Sequence, residues 1–284
     1  MITLLLAGSL LWLEDAYLKP YYALEKMLAS RSIPAVPSTA TLQRFDDPAV
    51  IANQGERVDH ALWDSVLRAH VVDGLVDYEG MAADPRLGEY LDLIAAVDAD
   101  KLGPLEKLAL YMNAYNALCC RVITTRKPEK SILDLSTKTT QIWDQPVGSV
   151  AGVEVSLNDV EHTFLRFQWD EPAIHACIVC ASSSCPSLAS FAFTGDHTLP
   201  DVMRSRLAAF FSDETKGLKL DPQRDVATFS RILLWFADDF ASGGGPVRFA
   251  RSAAPEPAAL FDSMSPHPRL RYFDYDWALN NQRP

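Results

Sequence analysis

The chain has 284 residues, 48% of them apolar, with a net charge of −11 and five cysteines. That apolar share supplies a sizeable core and excludes global disorder. The acidic balance excludes a nucleic-acid partner.

An odd cysteine count leaves at least one thiol free or paired between chains. The spacing lacks the repeated Cys-x-x-Cys of a structural zinc site, and a small disulfide scaffold is not expected at this length. No Gly-rich phosphate loop occurs, so no nucleotide is expected, and no other cofactor is called for.

In chain order, Met1 to Leu13 is apolar until Glu14 and Asp15 interrupt it. This run is shorter than a membrane span and lacks the basic start of an export signal. It reads either as a docked helix or as a shortened export signal or anchor. Any membrane contact is expected through residues 1–13 alone.

Residues 1 to about 30 read as helical, and the two prolines within Ile33–Thr39 make a linker. We take 1–55 as an N-terminal helical extension and 56–284 as a single domain. A helix is expected over Asp59–Ala69, then a tight hairpin at Asp73-Gly74. The run from Pro104 to Thr125 is the strongest helix, with Leu105, Leu108, Met112, Tyr115, Leu118 and Val122 forming an apolar stripe.

A second hairpin turns at Ala151-Gly152. Ser156 then caps a helix through Arg166, with Asp159 in place of the usual Glu or Gln of a capping box. "IHACIVCA" reads as a buried strand. Leu199–Asp213 is an amphipathic helix, "GLKLD" and "VATFS" a hairpin, and "SRILLWFADDF" a last helix stopped by the glycines at 243–245. Without a regular βαβ alternation, the fold class is α+β, a mixed and partly antiparallel sheet packed with helices.

The residues that carry chemistry cluster late. Pro186 at the first position of a helix would put Cys185 at its N-cap, where the helix dipole favours thiolate. Cys180, at the strand end, is the other nucleophile or a disulfide partner. Cys177 faces the opposite side, and Cys119 and Cys120 pack in the long helix.

His175, among apolar neighbours, is expected to be buried, neutral and able to take a proton. Glu161 and His162 are adjacent, about 100° apart on a helix, so one aims inward while the other supports it. Asn113 and Asn116 share a helix face. They are either a solvated edge or a buried amide pair fixing a loop or an oxyanion. No aromatic-lined groove or specificity pocket is legible.

Six stretches, in this order, resemble the domain-of-unknown-function 547 family: "VDYEG", "LYMNAYNAL", "VSLNDVEHTFLR", "IHACIVCASSSCPSL", "FSRILLWFADDF" and "YFDYDWALN". The resemblance implies Asn113, Asn116, Glu161, His162, His175, Cys180, Cys185 and Pro186 as the motif residues. It implies a papain-like thiol hydrolase or transpeptidase by analogy, and it favours an exported or periplasmic location over a cytoplasmic one.

The leading expectation is a thiol-dependent hydrolase or acyl/peptidyl transferase acting on an amide or thioester. Cys185 is its nucleophile, with Cys180 the runner-up. His175 is the base, with His162 the alternative, and Glu161 orients the imidazole. Asn113 or Asn116 donates to the oxyanion. The substrate is a small peptide-like or thiol-containing molecule.

Three alternatives remain. One is a zinc site made of His162, His175, Cys180 and Cys185. Another is a non-catalytic binding module. The last is thiol–disulfide exchange, which needs Cys180 and Cys185 to meet across four intervening residues.

Overall fold

A computed structural model describes residues 18–53, 55–241, 244–254 and 259–282. The apolar run 1–13, with its alternative readings, lies outside the described residues. So does the glycine at 243. Among the described residues no helix is long and apolar enough to cross a membrane.

The chain begins with helix α1 (18–29) and a short α2 (Pro48–Ala52). α3 (Ala61–His70) leads into the hairpin β1 (Val71–Val72) and β2 (Leu75–Val76). Its turn is left-handed at both Asp73 and Gly74, φ 51° and 80°, as the Asp-Gly pair requires. A Cβ at Gly74 would collide with Ser187, so glycine lets the hairpin tip lie against the segment after Cys185.

α4 (Tyr78–Ala83) and α5 (Pro85–Ala95) follow, each capped by an aspartate side chain, Asp77 and Asp84. The long helix α6 (Pro104–Arg126) is the axis of the molecule. Proline opens it, and Lys127 closes it in the left-handed conformation.

The expected apolar stripe understates α6. Eighteen of its twenty-three residues are buried, because α4, α5, β3 and the segment 159–166 surround it. A helix enclosed on all sides buries whatever it carries, so Asn113 and Asn116 are interior rather than a solvated edge.

The hairpin β3 (Pro146–Val150) and β4 (Val153–Ser156) turns at Ala151-Gly152 as expected. α7 (Leu199–Ser212) precedes a three-stranded sheet of β5 (Leu218–Asp221), β6 (Val226–Phe229) and β7 (Arg269–Tyr272). β5 pairs antiparallel to β6, and β6 pairs parallel to β7, so the sheet is mixed. The fold class is α+β.

Two expected elements differ. "IHACIVCA" is not a strand. Pro172–Ala176 is a 3₁₀ helix, started by Pro172 and by the Glu171 carboxylate accepting from Ala173 N–H. Beyond it the backbone needs no strand partner, because Asn116 supplies one. Its Nδ2 donates to the Cys177 carbonyl at 2.8 Å, and its Oδ1 accepts from Val179 N–H at 2.9 Å.

The expected helix through "SRILLWFADDF" is a single turn, α8 (Ile232–Trp235), followed by turns to residue 241. Those turns carry Asp239 inward to Arg166 and His175. α9 (Pro246–Ala253) lies beyond them.

Candidate active site

The helix that carries Glu161 and His162 begins as expected. Ser156 Oγ accepts from Asp159 N–H at 3.0 Å, and Asp159 accepts from Ser156 N–H at 2.8 Å, so aspartate closes the capping box. Over Asp159–Arg166 the turn widens to a π-helix, with Phe167 N–H donating five residues back to the His162 carbonyl at 2.9 Å. The angle between adjacent side chains narrows in the wider turn. Both Glu161 and His162 consequently line the same cavity, rather than one facing it and one supporting.

That cavity, about 380 Å³, is also lined by Cys180, Cys185 and His175. Its volume is in the range of small-molecule sites. One wall is aromatic: Trp235 stacks on Trp277 at 5.8 Å, and Tyr275 lies 4.5 Å from Trp277. This wall was not legible in the sequence, because its members are far apart in the chain. Leu28 and Ile33 close another side. Glu25 on α1 joins them there and ties that helix to Arg231 at 2.9 Å.

Cys185 does not cap a helix. Residues 186–189 have no regular structure, so no helix dipole acts on its sulfur. Hydrogen bonds do that work instead. Cys180 N–H donates to Cys185 Sγ at 3.2 Å, and the Tyr275 hydroxyl lies 3.2 Å from the same sulfur.

Burial pushes the Cys185 thiol up. Contacts from Cys180, Ser182 and Tyr275 outweigh that burial and bring it below the ordinary cysteine value. Cys180 moves the opposite way, raised by its contact with Cys185 and by burial. The geometry thus favours Cys185 over Cys180 as the thiolate.

Two remote segments build this loop. Ala181 is held at φ 62°, unusual for a residue with a side chain. Its carbonyl accepts from Asn280 N–H at 3.0 Å, and Ser183 N–H donates to the Ala278 carbonyl at 2.7 Å. The segment that fixes the loop also delivers Tyr275. Asn280 is in turn held by the Tyr78 hydroxyl at 2.6 Å.

His175 is buried, as expected, at 5% exposure. Its Nε2 lies 2.7 Å from Asp239 Oδ2, and its Nδ1 is 3.9 Å from Glu161 Oε1. The hydrogen bond that orients this imidazole therefore comes from Asp239, not from Glu161. Asp239 also receives Arg166 Nε at 2.6 Å and Nη2 at 2.8 Å. Burial opposes its ionisation, but Arg166 and His175 hold it well below the usual carboxylate range. An ionised Asp239 accepts the Nε2–H of His175, which leaves Nδ1 facing Glu161. Burial raises the Glu161 carboxyl.

His162 is not the alternative base. Arg166 Nη1 lies 3.0 Å from its Nδ1, and an arginine can only donate. Nδ1 must accept, so Nε2 carries the hydrogen. Burial and the neighbouring Arg166 charge push His162 down to about 3. Its Nε2–H is buried with no partner, on a residue of the cavity lining. His162 is a neutral donor.

Asn113 and Asn116 do not reach the cavity. Asn113 brackets the backbone of Phe193, donating to its carbonyl at 2.8 Å and accepting from its N–H at 3.0 Å. Asn116 does the same for residues 177 and 179. Both amides position loops, and neither is an oxyanion donor.

The zinc set fares no better. Among the described residues no group of three or more His, Cys, Asp or Glu is arranged to hold a metal. One ring nitrogen of each histidine is already bonded, His162 Nδ1 to Arg166 and His175 Nε2 to Asp239. Cys119, Cys120 and Cys177 are buried outside the cavity, and burial raises each thiol.

The structure therefore gathers Glu161, His162, His175, Cys180 and Cys185 at one cavity. Among the described residues neither sulfur is hydrogen-bonded to an imidazole. Sequence reasoning missed Asp239, Arg166 and Tyr275. The signal for Arg166 was its position one turn after His162. For Asp239 it was an acidic pair in an apolar run. Tyr275 had none beyond its place in a resembling segment.

Comparison with curated proteins and with solved structures returned no match. Residues 99–205 match the family model described as "Protein of unknown function, DUF547". Three of the six resembling segments lie inside that match, and the loop with Cys180 and Cys185 is among them, so this stretch of the chain is similar to the DUF547 family.

Proposed function

We propose that the cavity belongs to a thiol-dependent hydrolase or acyl transferase with Cys185 as nucleophile. The observation that carries this reading is the Cys185 sulfur, lowered toward thiolate by hydrogen bonds beside a cavity of small-molecule size.

The chemistry balances with the residues present. The Cys185 thiolate attacks the carbonyl carbon of an amide or thioester, and the carbonyl π pair moves to oxygen. His162 Nε2–H donates to that oxyanion, the role first sought in Asn113 and Asn116. The Glu161 carboxyl, raised by burial, protonates the leaving amine or thiolate as the tetrahedral adduct collapses to an acyl-enzyme. His175, oriented by Asp239, takes a proton from the water or acceptor that attacks the acyl group. The proton then returns to Glu161. Glu161 thus acts as an acid rather than as the orienting member of a triad. The aromatic wall favours a small substrate with a flat or apolar part, peptide-like or thiol-containing. The papain-like analogy supplies the reaction class alone.

p-Nitrophenyl acetate tests this directly. One equivalent of p-nitrophenolate per chain is expected in a burst, with the acetyl group found on Cys185 by peptide mass spectrometry. Iodoacetamide at neutral pH should label the same sulfur. Cys185→Ser should lose both. An undiminished burst in Cys185→Ser refutes the proposal.

A further inference from the structure

Four residues separate Cys180 from Cys185, more than the usual redox motif, yet the fold closes that gap. Between them Ala181 is left-handed, and Cys185 N–H donates to the Ser182 carbonyl at 3.1 Å to close a turn. The Cys180 backbone N–H reaches the Cys185 sulfur at 3.2 Å. Both sulfurs also rest on one phenol, Tyr275 Oη, at 3.6 Å from Cys180 and 3.2 Å from Cys185. All five cysteines are free.

The two thiols are also unlike. Cys185 is 3% exposed and carries the donors that stabilise a thiolate. Cys180 is partly exposed and lines the same cavity, and its contact with Cys185 and its burial favour the thiol form. One sulfur is built to attack and its neighbour to resolve. Acyl transfer needs a single thiol, so it leaves Cys180 unexplained.

We propose that Cys180 and Cys185 form a reversible dithiol–disulfide couple that reduces small hydroperoxides admitted to the cavity. The enclosed Cys185 excludes a protein disulfide as oxidant, and the apolar walls suit a low-molecular-weight organic hydroperoxide. The Cys185 thiolate attacks the terminal peroxide oxygen. The S–O bond forms, the O–O bond breaks, and the departing alkoxide takes a proton to leave as alcohol. Cys180 then attacks the sulfenic sulfur, forming the disulfide and releasing water. The two electrons that reduce the peroxide come from the two thiols. A low-molecular-weight thiol resets the couple by exchange. This activity shares Cys185 with acyl transfer but requires neither a carbonyl substrate nor His175.

The full-length protein is treated with cumene hydroperoxide and mapped by non-reducing peptide mass spectrometry. A Cys180–Cys185 bridge is expected, reversed by glutathione. Cys185 should react about 10-fold faster than free cysteine, which is only a few per cent thiolate at neutral pH. In Cys180→Ser the reaction should stop at a sulfenic acid on Cys185, trapped by dimedone. In Cys185→Ser no sulfenic acid should form at Cys180. Circular dichroism confirms that each variant is folded.

Overoxidation of Cys185 to sulfinic acid with Cys180 still free would overturn the proposal. So would reaction at the free-cysteine rate, or bridging by glutathione disulfide but not by hydroperoxide. A bridge without an acetyl burst refutes the hydrolase and leaves the couple standing. A burst without a bridge does the reverse.

Discussion

His162 gives the sharpest physical test, because its neutral state follows from one contact. Arg166 occupies Nδ1 as a donor, and burial adds to the penalty for a second proton, so the folded value falls to about 3. Unfolded, the ring returns to about 6.5. Between these values the unfolded chain binds a proton that the folded chain refuses. Stability therefore falls as the pH drops below about 6.5, and this loss ends near the folded value. Integrating one such group from pH 6 to pH 4 gives about 2.5 kcal/mol. His162→Gln removes the titration while keeping an amide that can serve as acceptor to Arg166 and donor to the cavity. Urea unfolding at several pH values yields a slope for each protein. Slopes are compared because they do not depend on any constant cost of the substitution. The wild type should lose about 2.5 kcal/mol more than His162→Gln over that interval. Indistinguishable slopes would refute the reasoning, as would ¹⁵N spectra in which the His162 ring titrates near its free value.

Other substitutions probe the neighbours. Asp239→Asn leaves the buried Arg166 without its carboxylate and should cost about 3–5 kcal/mol in urea unfolding. Because the Asp239 value is depressed in the folded state, its contribution is full above about pH 4 and fades as the pH falls below that. The gap between wild type and variant should narrow there. Tyr275→Phe removes one donor from the Cys185 sulfur. It should raise the midpoint of thiolate absorbance by about one pH unit, worth about 1.4 kcal/mol. An unchanged midpoint would count against the hydrogen-bonded thiolate. Asn116→Ala strands the Cys177 carbonyl and the Val179 N–H in the interior, at about 2–4 kcal/mol for the two groups. A cost below about 1 kcal/mol would mean that water replaces the amide.

What the sequence revealed and what it hid divide along a physical line. Features set by neighbours in the chain were legible. Asp73-Gly74 and Ala151-Gly152 turn where their backbone freedom allows, Pro104 opens α6, and Ser156 caps the helix of Glu161 and His162. The resembling segments also pointed to Glu161, His162, His175, Cys180 and Cys185, and the fold gathers these five at one cavity. Features set by remote partners were not legible. "IHACIVCA" has the composition of a strand, but a side chain from α6 satisfies its backbone, and no local pattern announces that Asn116 does so. The electropositive end expected at Cys185 rested on a helix after Pro186. The sulfur instead meets Tyr275, ninety residues away in the sequence, together with an N–H from the strained turn that the segment 278–280 holds in place. The orienting acid moved from Glu161 to Asp239 for the same reason, since only the folded chain brings residue 239 to residue 175. A nucleophile can be nominated from its immediate surroundings in the chain. The donors that set its ionisation can come from anywhere in the chain, so the residue types were readable long before their roles.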